Sequence, residues 1–559
     1  MIVKEITASQ LQEMIQVGSN YLSQNVDHVN SLNVFPVPDG DTGTNMSLSM
    51  KTGAKAVADT DKTTVGEVAS VLAEGLLMGA RGNSGVILSQ LFRGFSKAVK
   101  DKETITAKDL ADAFRNGVET AYQAVMKPVE GTILTVARGA ATQVIRAVKN
   151  TDDVVSVMHA AISGAKESLN QTPEMLPVLK EVGVVDSGGQ GLIYIYEGFL
   201  ASLIGKFEKL TDFVPTPAFM TQMVDVEHHR AVANHIASED IQFGYCTEIM
   251  ICLKEGKTTE EQFNYESFSN YLDGLGDSLL VVNDEKIVKV HVHTEMPGEV
   301  MNYGQKFGSL VNVKVDNMRL QHNTVVEKES AQTRVYSVQE KVSSAVIAVA
   351  AGKGLKDLFL SLGVQVVLSG GQTMNPSTDD ILKAIQEANA EELIILPNNK
   401  NIWMSAKSAA EVSKIPVAVI ETGTIPQGIA AMLAYNPELK LEKNQKYMSR
   451  AATEIVSAQV TKAIRDTIID GVEVHQGEYI GMVEGVIVVS NSEIIETSVM
   501  TLEKMIMDET EIITILVGED GNYEETNLIV NHIEESHPEI QVEVHQGDQP
   551  VYPYFFSSE

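Results

Sequence analysis

Between Ala8 and about Phe207 the apolar residues recur at helical spacing in seven segments, at residues 8–24, 65–78, 85–99, 107–126, 132–149, 154–169 and 190–204. This recurrence constrains the fold more than any other feature. Each segment carries an apolar stripe, and successive stripes in one stretch of chain are most simply buried against one another. Residues 1–207 are therefore predicted to form an all-α bundle. The pattern then changes. Pro215 and Pro217 mark a linker over residues 208–240. In residues 241–325 the strand-like runs YCTEIMICL and KIVKVHVHT surround a helical FNYESFSNYLDGL, which predicts a small α+β domain. The polar residues 326–342 read as a second linker. Over residues 343–559 short β-branched runs alternate with helix-length segments, the pattern of an α/β domain with parallel strands joined by crossovers. A helical stretch at 445–467 is expected to separate its two strand-bearing halves.

The chain of 559 residues has 43 basic and 75 acidic side chains, a net charge of -32. Phosphate-backbone binding needs a Lys/Arg surface, so nucleic acid is not an expected partner. The acidity is unevenly placed. Residues 1–210 hold 19 basic and 23 acidic side chains, and residues 211–559 hold 24 and 52. The excess reads either as a solvated surface or as a docking face for a basic partner. Two cysteines, Cys246 and Cys252, fit a reducing cytosol. The N-terminal MIVKEITASQLQEMI lacks the basic and apolar regions of a signal peptide, and no window reaches the ~18–20 apolar residues of a membrane span. A cytoplasmic location without an integral membrane segment is expected.

The segment Asn33-Val34-Phe35-Pro36-Val37-Pro38-Asp39-Gly40-Asp41-Thr42-Gly43-Thr44-Asn45-Met46 carries the strongest chemical signal. Asp39 and Asp41 are separated by one residue, and such a pair can share a hard divalent cation that also bridges nucleotide phosphates. Thr42, Thr44 and Asn45 can cap the following helix and offer its N-terminal N–H groups to phosphate. Taken alone the segment reads equally well as an Asp-Gly turn with an ordinary N-cap. Three further loops interrupt the bundle: Gly79-Ala80-Arg81-Gly82-Asn83-Ser84-Gly85, Pro128-Val129-Glu130-Gly131-Thr132 and Val185-Asp186-Ser187-Gly188-Gly189-Gln190-Gly191. None is a Walker loop. Four such loops in one bundle, one of them with paired aspartates, point to a nucleotide-metal site. Arg81 could neutralise transferring charge there, or form a salt bridge.

Two weaker signals lie downstream. His291 and His293 share one face of a strand, and with Cys246 they form either a three-ligand zinc set or two packed histidines beside a buried cysteine. The run Leu368-Ser369-Gly370-Gly371-Gln372-Thr373-Met374-Asn375-Pro376-Ser377-Thr378 follows a strand and precedes a helix, where open α/β sheets bind ligands. A plain βα turn with an N-cap would look the same.

Residues 1–205 resemble the nucleotide-binding (DhaL-like) domain of dihydroxyacetone kinases. The ordered strings NVFPVPDGDTGTNM, MGARGNSG, PVEGT, VVDSGGQG and VEVHQGDQPVYPYFFS are similar, more narrowly, to the fatty acid kinase ATP-binding subunit, over essentially the whole chain. The resemblance implies a barrel of helices binding ATP and two Mg²⁺. Asp39 and Asp41 would be ligands of the metal. Thr42, Gly43, Thr44, Asn45, Gly82, Asn83, Ser84 and Gly85 would meet phosphates, and Thr132 with Asp186, Gly188 and Gly189 would close over the nucleotide. The dihydroxyacetone kinases supply a further upstream aspartate. Here the nearest polar residue is Asn33, a weaker Mg²⁺ ligand. The resemblance also implies a DegV-like C-terminal domain, a metal such as structural Zn²⁺ on Cys246, His291 and His293, and phosphoryl transfer to a fatty acid carboxylate presented by a DegV-type fatty-acid-binding carrier. The competing functions are a dihydroxyacetone-type small-molecule kinase and a non-catalytic ATP-binding regulator. A homodimer is compatible with a chain of this kind.

Overall fold

The computed structural model describes residues 2–34, 40–125, 127–205, 243–254, 262–283, 286–317, 341–371, 375–463, 466–469 and 471–559. Two compact units are present: Met1–Phe207 together with Glu340–Glu559, and Glu208–Gln339.

The N-terminal part holds helices α1 (Ala8–Gln24), α2 (Val26–Ser31), α3 (Thr42–Ala58), α4 (Val65–Gly79), α5 (Gly82–Val99), α6 (Ala107–Ala124), α7 (Ile133–Ala147), α8 (Val154–Met175), α9 (Pro177–Val182) and α10 (Ser187–Leu203). Strands β1 (Glu5–Ile6) and β2 (Ile105–Thr106) pair antiparallel. Local chemistry sets several helix starts. Thr7 with Gln10 and Thr106 with Asp109 form capping boxes, while Thr64 and Asp153 cap α4 and α8. The long helices then pack in a ring, in the order α1, α3, α4, α5, α6, α7, α8, α10 and back to α1. Their apolar faces meet inside, with Leu22, Met46, Leu76, Val136, Met158 and Ile195 fully buried or nearly so. The ring closes where α1 and α10 touch at glycines. A Cβ on Gly198 would fall 2.6 Å from Gly18 Cα.

Helix α3 is absent from the seven segments marked by apolar periodicity, although the aspartate loop was expected to cap a following helix. Its segment TGTNMSLSMKTGAKAVA buries small polar residues as well as apolar ones: Ser47 and Ser49 are fully buried, and Ser47 shares a 2.9 Å hydrogen bond with Ser23. No plain apolar stripe marks it.

The unit Glu208–Gln339 holds strand β3 (Tyr245–Leu253), helix α11 (Tyr265–Asp273), strands β4 (Gly276–Asn283) and β5 (Ile287–Thr294), helix α12 (Pro297–Gln305) and strand β6 (Gly308–Asn317). Its antiparallel sheet runs β4-β5-β3-β6. Val288, Val290 and Val292, at alternating positions of β5, are buried with Ile249, Ile251, Phe268 and Leu272, which fits the period of two.

In the C-terminal part, strands β7 (Val342–Ala350), β8 (Val366–Ser369), β9 (Ala390–Leu396) and β10 (Val417–Val419) form a parallel sheet in the order β10-β9-β7-β8. Helices α13 (Lys353–Ser361), α14 (Thr378–Glu387), α15 (Trp403–Val412), α16 (Ile425–Leu433) and α17 (Leu441–Glu454) accompany it. A second sheet combines β11 (Val456–Lys462), β14 (Tyr479–Val483), β15 (Val486–Asn491), β16 (Ile512–Val517), β17 (Gln541–Gln546) and β18 (Tyr554–Ser558), in the order β15-β14-β11-β18-β16-β17. Strands β12 (Thr467–Ile469) and β13 (Val472–Val474) pair separately, and α18 (Ile494–Met505) and α19 (Tyr523–Ser536) complete the region. The helical stretch expected at 445–467 is thereby corrected. The helix stops at Glu454, and Val456–Lys462 is a strand held between β14 and β18. Its residues Val456, Val460 and Thr461 are β-branched and favour a pleated, half-buried setting.

The C-terminal part packs on the helical ring. Helix α14 meets α4, α15 and the 3₁₀ turn Lys400–Ile402 meet α5, and Val182 of α9 joins the apolar cluster of Ile469 and Val474. None of the described helices is long and apolar enough to cross a membrane. The glycine contact that closes the ring yields a direct test: Gly198→Val should lower the unfolding free energy by about 1–3 kcal/mol in urea denaturation. An unchanged midpoint would show that α1 and α10 separate without cost.

Candidate functional site

Three close contacts bring four helix N-termini to one end of the ring. Gly85 of α5 lies against Ser49 of α3, Gly191 of α10 lies against Met46 of α3, and Gly188 of α10 lies against Ile133 of α7. The four loops singled out in the sequence, which precede α3, α5, α7 and α10, are therefore neighbours. Helix N-termini carry unsatisfied N–H groups and a partial positive charge, so such a cluster suits anions.

Asp41 stands at the N-cap of α3 and is only 6% exposed. Asp39 lies outside the described residues. Thr42, Thr44 and Asn45 are buried beside Asp41, and Asn33 is 3% exposed. The first N–H groups of α3 have a partner that sequence reasoning missed. Asn30 Oδ1 accepts from Gly43 N at 2.7 Å and from Thr44 N at 3.2 Å, while Asn30 Nδ2 donates to Thr44 Oγ1. The cap thus comes from α2 and not from Thr42, Thr44 or Asn45. The only local clue was an Asn on the helix just upstream. Gly43 makes this approach feasible, since a Cβ there would sit 2.5 Å from Val26 O.

The loop before α5 is locked onto α3. Arg81 N donates to Ser49 Oγ, and Ser49 Oγ donates to Asn45 O at 2.6 Å. Gly82 has φ +56, and a Cβ there would fall 2.6 Å from Asn45 Nδ2, so this position needs glycine for both conformation and space. Ser84 and Gly85 follow in the first turn of α5.

Three residues of this loop meet the C-terminal part. Arg81 Nη1 donates to Asn375 O at 2.8 Å, and Arg81 Nη2 pairs with Asp380 Oδ2 at 3.2 Å. Asn83 Nδ2 donates to Asn401 Oδ1, and Thr378 N donates to Ala80 O. Asn375 Nδ2 also donates to Asp41 Oδ2 at 2.5 Å. Asn375 and Asn401 lie on loops leaving the carboxyl ends of β8 and β9, the edge of an open α/β sheet where ligands characteristically bind. Here that edge receives a protein loop.

On the far side, Thr132 is the N-cap of α7, but its hydroxyl donates to Val129 O. Glu130 is gripped by Arg138 through both oxygens, at 2.7 and 2.6 Å, and accepts from Thr135 and Tyr122. Burial pushes the Tyr122 hydroxyl up to about 12. Asp186, 6% exposed, caps α10 by accepting from Gly189 N at 2.7 Å. Burial raises its carboxyl to about 7, against the opposing pull of hydrogen bonds from the Gly189 and Ile133 backbones.

The zinc residues fare differently. Strand register sets Cys246 opposite His293 and Glu248 opposite His291, and His293 is buried. The Cys246 and His291 side chains lie outside the described residues. Among the described residues no cluster of three or more His, Cys, Asp or Glu side chains could hold a metal ion, so the zinc set gains no support.

Comparison with known proteins follows these divisions. The DAK2 domain matches residues 36–201, the middle domain of FakA-like fatty acid kinase proteins matches residues 242–325, and their C-terminal region matches residues 345–559. Protein YloV of Bacillus subtilis (strain 168) is 47% identical over 559 residues, covering 100% of both chains. An uncharacterized protein of Staphylococcus haemolyticus (strain JCSC1435) is 48% identical over 566 residues, again covering 100% of both. Among solved structures, the dihydroxyacetone kinase from C. freundii in complex with AMP-PNP and Mg²⁺ aligns with TM-score 0.29 and 18% identity, over 36% of this chain and 35% of that one. The Streptococcus pneumoniae fatty acid kinase B3 protein loaded with linoleic acid aligns with TM-score 0.26 and 12% identity, over 39% and 99%. Those two structural likenesses are too weak to argue from, but the matched regions and the full-length identities are not: the chain belongs to the FakA-like fatty acid kinase family, with a DAK2 domain as its N-terminal part.

Proposed function

We propose that the chain transfers the γ-phosphoryl group of ATP to the carboxylate of a fatty acid held by a separate DegV-type fatty-acid-binding protein, yielding an acyl phosphate. The observation that carries this reading is the buried Asp41 at a cluster of four helix N-termini. Asn375, whose Nδ2 donates to Asp41 Oδ2, has a buried Oδ1 with no hydrogen-bond partner among the described residues. Such a setting fits a hard divalent cation that keeps part of its water shell. Asp41 and Asp39 would hold Mg²⁺, with Asn33 as a weaker additional ligand. Held there, Mg²⁺ would supply neutralisation of the phosphate charge.

The protein's own part is positioning. Thr42, Gly43, Thr44 and Asn45 line the start of α3, and Gly82, Asn83, Ser84 and Gly85 line the start of α5. Thr132, Asp186, Gly188 and Gly189 close the opposite side, and Arg81 is the candidate for neutralising transferring charge. A fatty acid carboxylate has a pKa near ~4–5 and is ionised at neutral pH, so it attacks phosphorus without a general base while ADP leaves. That suits a site whose candidate residues include no histidine.

Trapping with hydroxylamine tests the reaction. With Mg²⁺, ATP and a lipid-loaded DegV-type carrier, hydroxamate should form only when the carrier is present. Phosphorylated dihydroxyacetone formed without a carrier would overturn the acceptor. Asp41→Ala should abolish turnover while leaving the circular dichroism spectrum intact. The -28 charge of residues 211–559 further predicts that turnover at limiting carrier falls as salt is added.

The Asp186 carboxyl supplies a pH test. Its pKa is raised from 3.8 to about 7 in the fold, so the stability it contributes is full below about pH 4 and is lost as pH rises through about 7. Asp186→Asn cannot ionise. Its melting temperature relative to wild type should therefore climb between about pH 5 and about pH 8, and a flat difference would remove the effect.

A further inference from the structure

We propose that Asn375, on the C-terminal part, is a positioning residue of the metal centre: its amide nitrogen orients the Asp41 carboxylate and its amide oxygen receives a metal-bound water. The inference rests on Asp41 being a metal-binding group, as proposed above.

Three observations carry it. Asn375 is 2% exposed and stands between β8 and α14, just before Ser377, the N-cap of α14. Its Nδ2 donates to Asp41 Oδ2 at 2.5 Å. Its Oδ1 is a buried acceptor that meets no donor among the described residues. The orientation of the amide follows from chemistry, because turning it over would place oxygen against a carboxylate oxygen. A buried acceptor without a donor is costly, so such an atom calls for a ligand that brings the donor. Hydrated Mg²⁺ does so, since it retains several waters whose protons point outward. A hydrogen bond to one carboxylate oxygen meanwhile fixes the plane of that carboxylate and aims the other oxygen. Partners of this kind around metal ligands usually govern affinity.

The backbone of the same residue is fixed from the other side. Arg81 donates to Asn375 O and pairs with Asp380, while Thr378 N donates to Ala80 O. Arg81 thus anchors the Asn375 loop beside the phosphate-type loop to which Arg81 itself belongs. Gly82 contributes space. The Cβ it lacks would lie 2.6 Å from Asn45 Nδ2 and 3.7 Å from Asn375 Nδ2.

The test uses the full chain with AMP-PNP and Mn²⁺, following free Mn²⁺ by electron paramagnetic resonance. Asn375→Ala should weaken Mn²⁺ binding about tenfold. Asn401→Ala removes the Asn83 contact across the same interface without touching Asp41, and it should bind Mn²⁺ within about twofold of wild type. Equal weakening in both variants would reduce Asn375 to interface packing and overturn the proposal. So would wild-type affinity in Asn375→Ala. Should the alanine variant fail to fold, Asn375→Asp decides. It keeps the size of the side chain but sets a second carboxylate against Asp41, so its metal-free melting temperature should fall and its Mn²⁺-induced rise should exceed that of wild type. Equal rises would overturn the proposal. Asp41→Ala separates the two levels of the argument. If that variant binds Mn²⁺ normally, the metal reading of Asp41 falls, and Asn375 with it. If it loses Mn²⁺ while Asn375→Ala keeps it, only the role of Asn375 falls.

Discussion

Closure of the helical ring is the constraint on which the site depends. Gly18 and Gly198 let α1 and α10 touch at backbone distance, and this brings the start of α10 beside the start of α3. Were the two helices held apart by larger side chains, the loops at Asp41 and at Asp186 would no longer share one end. The core works to the same effect. Met46, in the second turn of α3, is fully buried against Gly191, so packing inside the ring fixes the height at which the N-termini stand. Interiors packed this densely resist small displacements, which suits a site that acts mainly by position.

Small residues dominate wherever two elements bearing the site approach. Gly43 admits α2, Gly82 admits the Asn45 amide, and Gly188 admits Ile133. Asn30 then spends its side chain on the α3 amides, while Ser49 ties α3 to the loop before α5. The result is a rigid set of loops that leaves Asp41, rather than backbone N–H groups of the first turn of α3, as the chemically distinct feature at that helix start.

Much of this was legible in the sequence, and the misses have physical causes. The helices with apolar stripes could be read because burial of one face imposes a period. Helix α3 was signalled only by its capping loop and not by a stripe, because serines and glycines supply much of its buried surface. The strand Val456–Lys462 follows a helix without a Gly or Pro break, so its alternation was absorbed into the helical run. The loops at 40–45, 79–85 and 185–191 stood out through glycine chemistry, which is local. Asn375 lay within a loop already marked as a ligand position, yet its partner is 334 residues away in the chain. No pattern of composition or period encodes such a pairing. Conversely, Asn30 is close in sequence to Asp41 but looks like any polar residue on a short helix.

The separation of 334 positions between Asp41 and Asn375 also has a consequence in time. At roughly 5–20 residues per second, the ribosome delivers Asn375 on the order of tens of seconds after Asp41. The ring can collapse during that interval, because its core is made only of residues already synthesised. The end that carries Asp41 stays without its second wall until β8 and α14 have emerged and docked. Maturation of the site is thereby tied to completion of the distal half of the polypeptide, and a truncated product of translation would carry the ring without the amide that reaches its carboxylate.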